Sequence, residues 1–114
     1  MTKTQQNIEF WTGEDKFFLY DILDNTGASV LVTSFTGEWH LRDEPDGASL
    51  LHYITGGSGV TLSGCTMTVT LAASDTAGCS MDGTYYATLS GSDGSGNAQL
   101  LAWGWAKVHY RPPS

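Results

Sequence analysis

Residues 66–78 read "TMTVTLAASDTAG", and the period of the sequence changes halfway through them. In the first half Met67, Val69 and Leu71 alternate with Thr66, Thr68 and Thr70, the pattern of a strand with one buried face. The second half turns to small polar residues, and "ASDTAGCS" predicts one turn of helix with Ser74 as its N-cap. A second strand follows in "TYYATLSGSD", with Tyr85, Ala87 and Leu89 on one side. Upstream, Ser63-Gly64 makes a tight turn back to "VTLS".

Working outward, period two recurs and a sustained period of 3.6 does not. "IEFW" sets Ile8 and Phe10 against Glu9 and Trp11, and "KFFLYDIL" sets Phe18, Tyr20 and Ile22 inward against Phe17 and Leu19. "ASVLVTSF" at 28–35, "GEWHLRDE" at 37–44, "LLHYI" at 50–54 and "AQLLAWGWAKVHY" at 98–110 complete the series. The segments "DNTG", "DEPDG", "TGGSG" and "GSDGSGN" separate them, and Pro112 and Pro113 end the last strand. Seven or eight short antiparallel strands predict an all-β, immunoglobulin-like β-sandwich, with a small barrel as the runner-up. The chain is expected to be one domain over 1–114, with an N-terminal arm at 1–7 and a proline-rich tail at 111–114.

Composition narrows the function classes. Five basic against twelve acidic side chains give a formal charge of −7, which repels a phosphate backbone, so nucleic acid is not an expected partner. No segment has the length of a membrane span or the shape of a signal peptide, which suggests a protein made in a cytoplasm without a membrane partner. Cys65 and Cys79 would close a loop worth ~3 kcal/mol if paired, but without a signal peptide two free thiols are the favoured state. The sequence has no GxSxG, GxxxxGK[ST], HExxH or GxGxxG, and no catalytic residue, cofactor or metal is expected. His40, His52 and His109 read as strand residues rather than a shared metal site, and "DGSGN" and "DEPDG" read as exposed loops rather than cation sites.

The tryptophans carry the functional signal. Trp103 and Trp105 share one face of a strand whose other face holds Ala102, Gly104, Ala106 and Val108. Either face can be the inner one; the small side is favoured because Lys107 and His109 accompany the tryptophans. That places an apolar stripe, expected to continue through Leu101, on the surface, where such stripes mark contacts. Trp103, Trp105, Trp11 and Trp39 are the candidate contact residues. A carbohydrate-binding module is the rival reading, with Gln99 and His109 as the polar neighbours of the rings.

The order of motifs resembles small immunoglobulin-like proteins of tailed-phage structural operons, related to the N-terminal domain of phage baseplate upper proteins. The resemblance rests on Val60-Thr61, the run from Thr68 to Thr76, Gly83-Thr84-Tyr85, Leu89, Asp93 and Gly104, with "IEFWTGEDKFFLYDILDNTGA" and "EWHLRD" upstream. It implies a non-enzymatic virion subunit of the neck, tail, baseplate or capsid surface, or a fibre adaptor. Such a subunit is present in many copies in a symmetric assembly and partners other phage structural proteins. Since the chain ends at "RPPS" without a long trimeric segment, the expectation is a stand-alone subunit rather than a fibre.

Overall fold

The computed structural model describes residues 4–24, 26–45, 47–55, 59–77, 81–93 and 98–110. The elements are β1 (Thr4–Gln5), β2 (Ile8–Trp11), β3 (Lys16–Asp21), β4 (Thr36–Arg42), β5 (Ser49–Thr55), β6 (Gly59–Ser63), β7 (Thr66–Leu71), α1 (Ala73–Thr76), β8 (Gly83–Ser92) and β9 (Ala98–His109). The protein is all-β. Its strands form one hydrogen-bonded sheet in the order β1-β9-β8-β4-β5-β6-β7-β3, with β2 also on β9.

The pairing is not antiparallel throughout, as the alternation had suggested. β1 and β2 run parallel to β9, and β5 meets β6 in parallel through two residue pairs only, Ile54 with Gly59 and Thr55 with Val60. At that narrow junction the sheet folds over, so that β3 and β7 cover β4. Phe18 of β3 stacks on Trp39 of β4 at 6.4 Å, and the Trp39 indole N–H donates to the Tyr20 hydroxyl at 3.2 Å. The remaining core is what the alternation dictates: Ile8, Phe10, Tyr20, Met67, Val69, Leu71, Ala87 and Leu89 are buried, while Phe17 and Leu19 point out.

The turn of helix after β7 is where expected, but Ser74 does not cap it. The N-cap is Ala72, and the missing acceptor is supplied from β3's approach, where Asp15 Oδ1 accepts the Ala73 N–H at 2.7 Å. Two more bonds fix α1: the Tyr53 hydroxyl donates to Asp75 Oδ2 at 2.7 Å, and Gly13 N–H donates to the buried Thr76 Oγ1 at 2.8 Å. Strand, helical turn, strand is thus the way this sheet closes one end of its core.

The segment 28–35 is not the strand its alternation predicted. One bridge joins Leu23 to Ser29, and beyond it single backbone bonds run from Val30 N to Ile22 O and from Val32 N to Gly64 O. Asp24 Oδ1 accepts from Thr26 and Ala28 and holds the preceding turn, and Val32 enters the core as an isolated plug. Two partners in different places cannot make a ladder, so in-and-out alternation survives without a strand. Cys79, residues 94–97 of the glycine-serine loop and the 111–114 tail lie outside the described residues; Cys65 is half-buried and has no disulfide partner among the described residues.

Part of the arm expected at 1–7 is sheet. β1 and β2 are interrupted opposite Gly104, where Gln6 N–H donates to Trp103 O at 2.8 Å and Asn7 Oδ1 accepts the Trp105 N–H at 3.0 Å. The Gln6 amide then reaches the opposite sheet edge and donates to Leu19 O at 2.9 Å, so the sheet nearly closes on itself. Only glycine fits at 104, because a Cβ there would overlap the Gln6 carbonyl group. Gly104→Ala is therefore expected to destabilise the fold by about 1–3 kcal/mol, measured by urea unfolding; an unchanged midpoint would contradict the Gln6 contact.

Candidate functional site

The outward face of β2, β9, β8, β4 and β5 holds the residues with functional potential, and sheet register fixes their places. Cross-strand partners share a face, so Trp105 stands beside Tyr86, Trp103 beside Thr88, Thr88 beside His40, and His40 beside His52. On the far side Glu9 and Trp11 stand beside Lys107 and His109.

The small face of β9 is the inner one: Ala102, Ala106 and Val108 are buried. Trp105 is 42% exposed and Trp11 48%, and Trp103 is half-buried. Tyr86 packs between the two β9 tryptophans, stacked on Trp103 at 6.2 Å and edge-on to Trp105 at 5.2 Å. Trp11 stacks on His109 at 4.6 Å, and His109 Nε2 contacts Glu9 Oε2 at 2.6 Å. Tyr86 was not foreseen as part of this group. The sequence signal was its place in "TYYATL", one residue out of phase with the inward Tyr85, Ala87 and Leu89.

Two expectations are corrected here. Trp39 is fully buried and is not a contact residue. It alternates with Glu38 and His40 and shares the inner side with Leu41, so the same strand pattern that exposes the histidine hides the tryptophan. Leu101 is also buried and does not extend the stripe, because a bulge between Leu89 and Ser90 pairs Leu89 with Ala102 and Ser90 with Leu100. The extra residue on β9 turns inward.

The histidines divide into two groups. His109 belongs to Glu9, while His40 and His52 are direct cross-strand neighbours with rings 4.1 Å apart and 7° from parallel. Both Nε2 atoms approach Glu38 Oε1 at 2.8 Å. Glu38 and His40 share one face of the predicted strand 37–44, but His52 lies on another predicted strand, and only the β4–β5 register brings it beside them. Glu38 also borders a shallow depression of about 260 Å³ shared by Gly37, Ile54, Ser90 and Gly91, and among the described residues it is the only titratable group lining it.

Among the described residues no helix is long and apolar enough to cross a membrane. Compared with models of protein families and with curated proteins, the sequence matches none. What the face can do has to be read from its own geometry.

The hydrogen bond from His109 holds the Glu9 carboxyl below the ordinary glutamate value, with Lys107 and Lys16 adding smaller attractions. A carboxylate lowered in the folded state adds stability that is fully present above its ordinary value and is lost as pH falls through the lowered one. Unfolding midpoints of the wild type are expected to decline more steeply on the acid side than those of Glu9→Gln; parallel acid limbs would show that the contact contributes nothing.

Proposed function

We propose that this chain is an immunoglobulin-like structural subunit of a bacteriophage particle that works by protein–protein assembly contacts, with the aromatic face of β9 and β8 as its principal contact surface. The observation that carries this is Trp105 beside Tyr86 and half-buried Trp103, with Trp11 farther along on the adjoining strand β2, on the outside of a sheet whose core is already filled by other side chains. Exposing large aromatic rings is unfavourable in an isolated protein, and tryptophan and tyrosine are enriched where interfaces hold most of their binding energy.

The strand order supports the immunoglobulin-like part of the reading. Taken as two layers, β3-β7-β6 packs over β5-β4-β8-β9, the layers share two residue pairs, and the first strands lie parallel on the last. The sequence resemblance to phage baseplate-type domains supports the virion part and a partnership with other phage structural proteins in a symmetric, many-copy assembly. The carbohydrate alternative has less support. Tyr86 occupies ring surface that a sugar would need, and His109 is engaged by Glu9 and Trp11.

The double variant Trp103→Ala with Trp105→Ala tests the reading. Mass spectrometry of purified particles is expected to find the wild-type chain in stoichiometric amount, and sizing of the isolated protein with its partners to show complexes that the folded double variant fails to form. A chain absent from particles, or a double variant that assembles normally, would overturn the proposal.

A further inference from the structure

We propose that Glu38, His40 and His52 bind one divalent transition-metal ion of the zinc class on the outer face of the sheet, through two imidazole nitrogens and one carboxylate oxygen. The inference is independent of the assembly reading. His40 Nε2, His52 Nε2 and a Glu38 carboxylate oxygen lie within 4.8 Å of one another, on neighbouring strands that fix their spacing. Two imidazoles and one carboxylate are a donor set suited to Zn²⁺, and three protein ligands leave a fourth position for water.

Hydrogen-bond partners show which nitrogen His40 would offer the ion. The Ser49 hydroxyl donates its one hydrogen to Leu51 O at 3.0 Å, yet Ser49 Oγ also lies 2.8 Å from His40 Nδ1. With Ser49 donating to Leu51, that second contact takes its hydrogen from the imidazole Nδ1 and leaves Nε2 as the ligand atom. In the neutral ring Nε2 then presents a lone pair, and it faces the Glu38 carboxylate oxygen at 2.8 Å. A histidine whose Nδ1–H is held by an oxygen acceptor, with Nε2 free for the ion, is also the usual arrangement around protein-bound metals.

The fit needs small movements. Ligand atoms around tetrahedral zinc stand about 3.3 Å apart for bonds of about 2.0 Å, so the nitrogen–oxygen contacts would open by about half an ångström and the parallel rings would turn to converge. The side chains of His52 and Glu38 are 46% and 47% exposed, which leaves that freedom and gives an ion a way in. Arg42, the cation two positions along β4, reaches instead toward Gly47 O at 3.5 Å.

Titration calorimetry with Zn²⁺ alone, on the full chain freed of metal by chelator, tests the site. The wild type is expected to bind one ion per chain; His52→Ala and Glu38→Gln are expected to bind about tenfold more weakly or worse, and His109→Ala to bind as the wild type does. Far-ultraviolet circular dichroism checks that each variant is folded. Nitrogen-15 NMR of the imidazoles gives a second readout, with the His40 Nε2 resonance expected to shift on zinc addition while Nδ1 stays protonated. No zinc binding by the wild type, equal binding by His52→Ala, or a His40 Nε2 that keeps a proton in the presence of zinc would overturn the proposal.

Discussion

The Trp39 indole is the contact on which the rest of the structure depends. It stacks on Phe18 from β3 and on Tyr53 from β5, at 6.4 Å and 5.6 Å, and its N–H is satisfied by Tyr20 from β3. One side chain therefore joins the two arms of a sheet whose ladder between them, β5 with β6, has two residue pairs. Aromatic pairs of this kind contribute about 0.5–1.5 kcal/mol each beyond the area they bury, and the indole N–H could not be buried without its partner. The constraint extends through Tyr53 to Asp75 and so to α1, whose Thr76 holds the β2–β3 turn at Gly13. Burial, and after it the hydrogen bond to Asp75, raises the Tyr53 hydroxyl above the ordinary tyrosine value, so it remains a donor across the working range of pH.

Fixing the inner side of the sheet also fixes the outer one. Because Trp39 and Leu41 face in, Glu38 and His40 face out; because Ala102, Ala106 and Val108 face in, Trp103 and Trp105 face out. The small inner side of β9 is matched on its edge by Gly104, whose missing side chain makes room for the Gln6 bend. The bulky residues of the closing strand are thereby left to the surface.

The parts legible in the sequence were those set by near neighbours along the chain. Alternation in 66–71, 84–92 and 98–109 gave the strands, and in the first two their buried faces, including the inward Met67, Val69 and Leu71. The parts that were not legible depend on partners far along the chain. Parallel pairing of β1 and β2 to β9, the split contacts of 28–35, the Asp15 acceptor at α1 and the bulge that turns Leu101 inward all require knowing which strand lies beside which. The same is true of the outer face. Trp103 and Trp105, and likewise Glu38 and His40, share a face by their spacing, whereas His52 and Tyr86 meet these neighbours only through cross-strand register.

The face so defined has two parts, an aromatic group on β9 and β8 and an imidazole–carboxylate group on β4 and β5, separated by Thr88. Phe17 and Leu19, 63% and 53% exposed on β3, make a second apolar surface and so an internal comparison. Hydroxyl-radical footprinting of the protein alone and in its assembled particle tests the central claim most directly, because it reads side-chain accessibility residue by residue. The account predicts that oxidation of Trp105, Trp103 and Trp11 falls on assembly while that of Phe17 changes little. Tryptophans oxidised as readily in the particle as in the free protein, with protection at Phe17 instead, would place the contact on the other side of the molecule and contradict it.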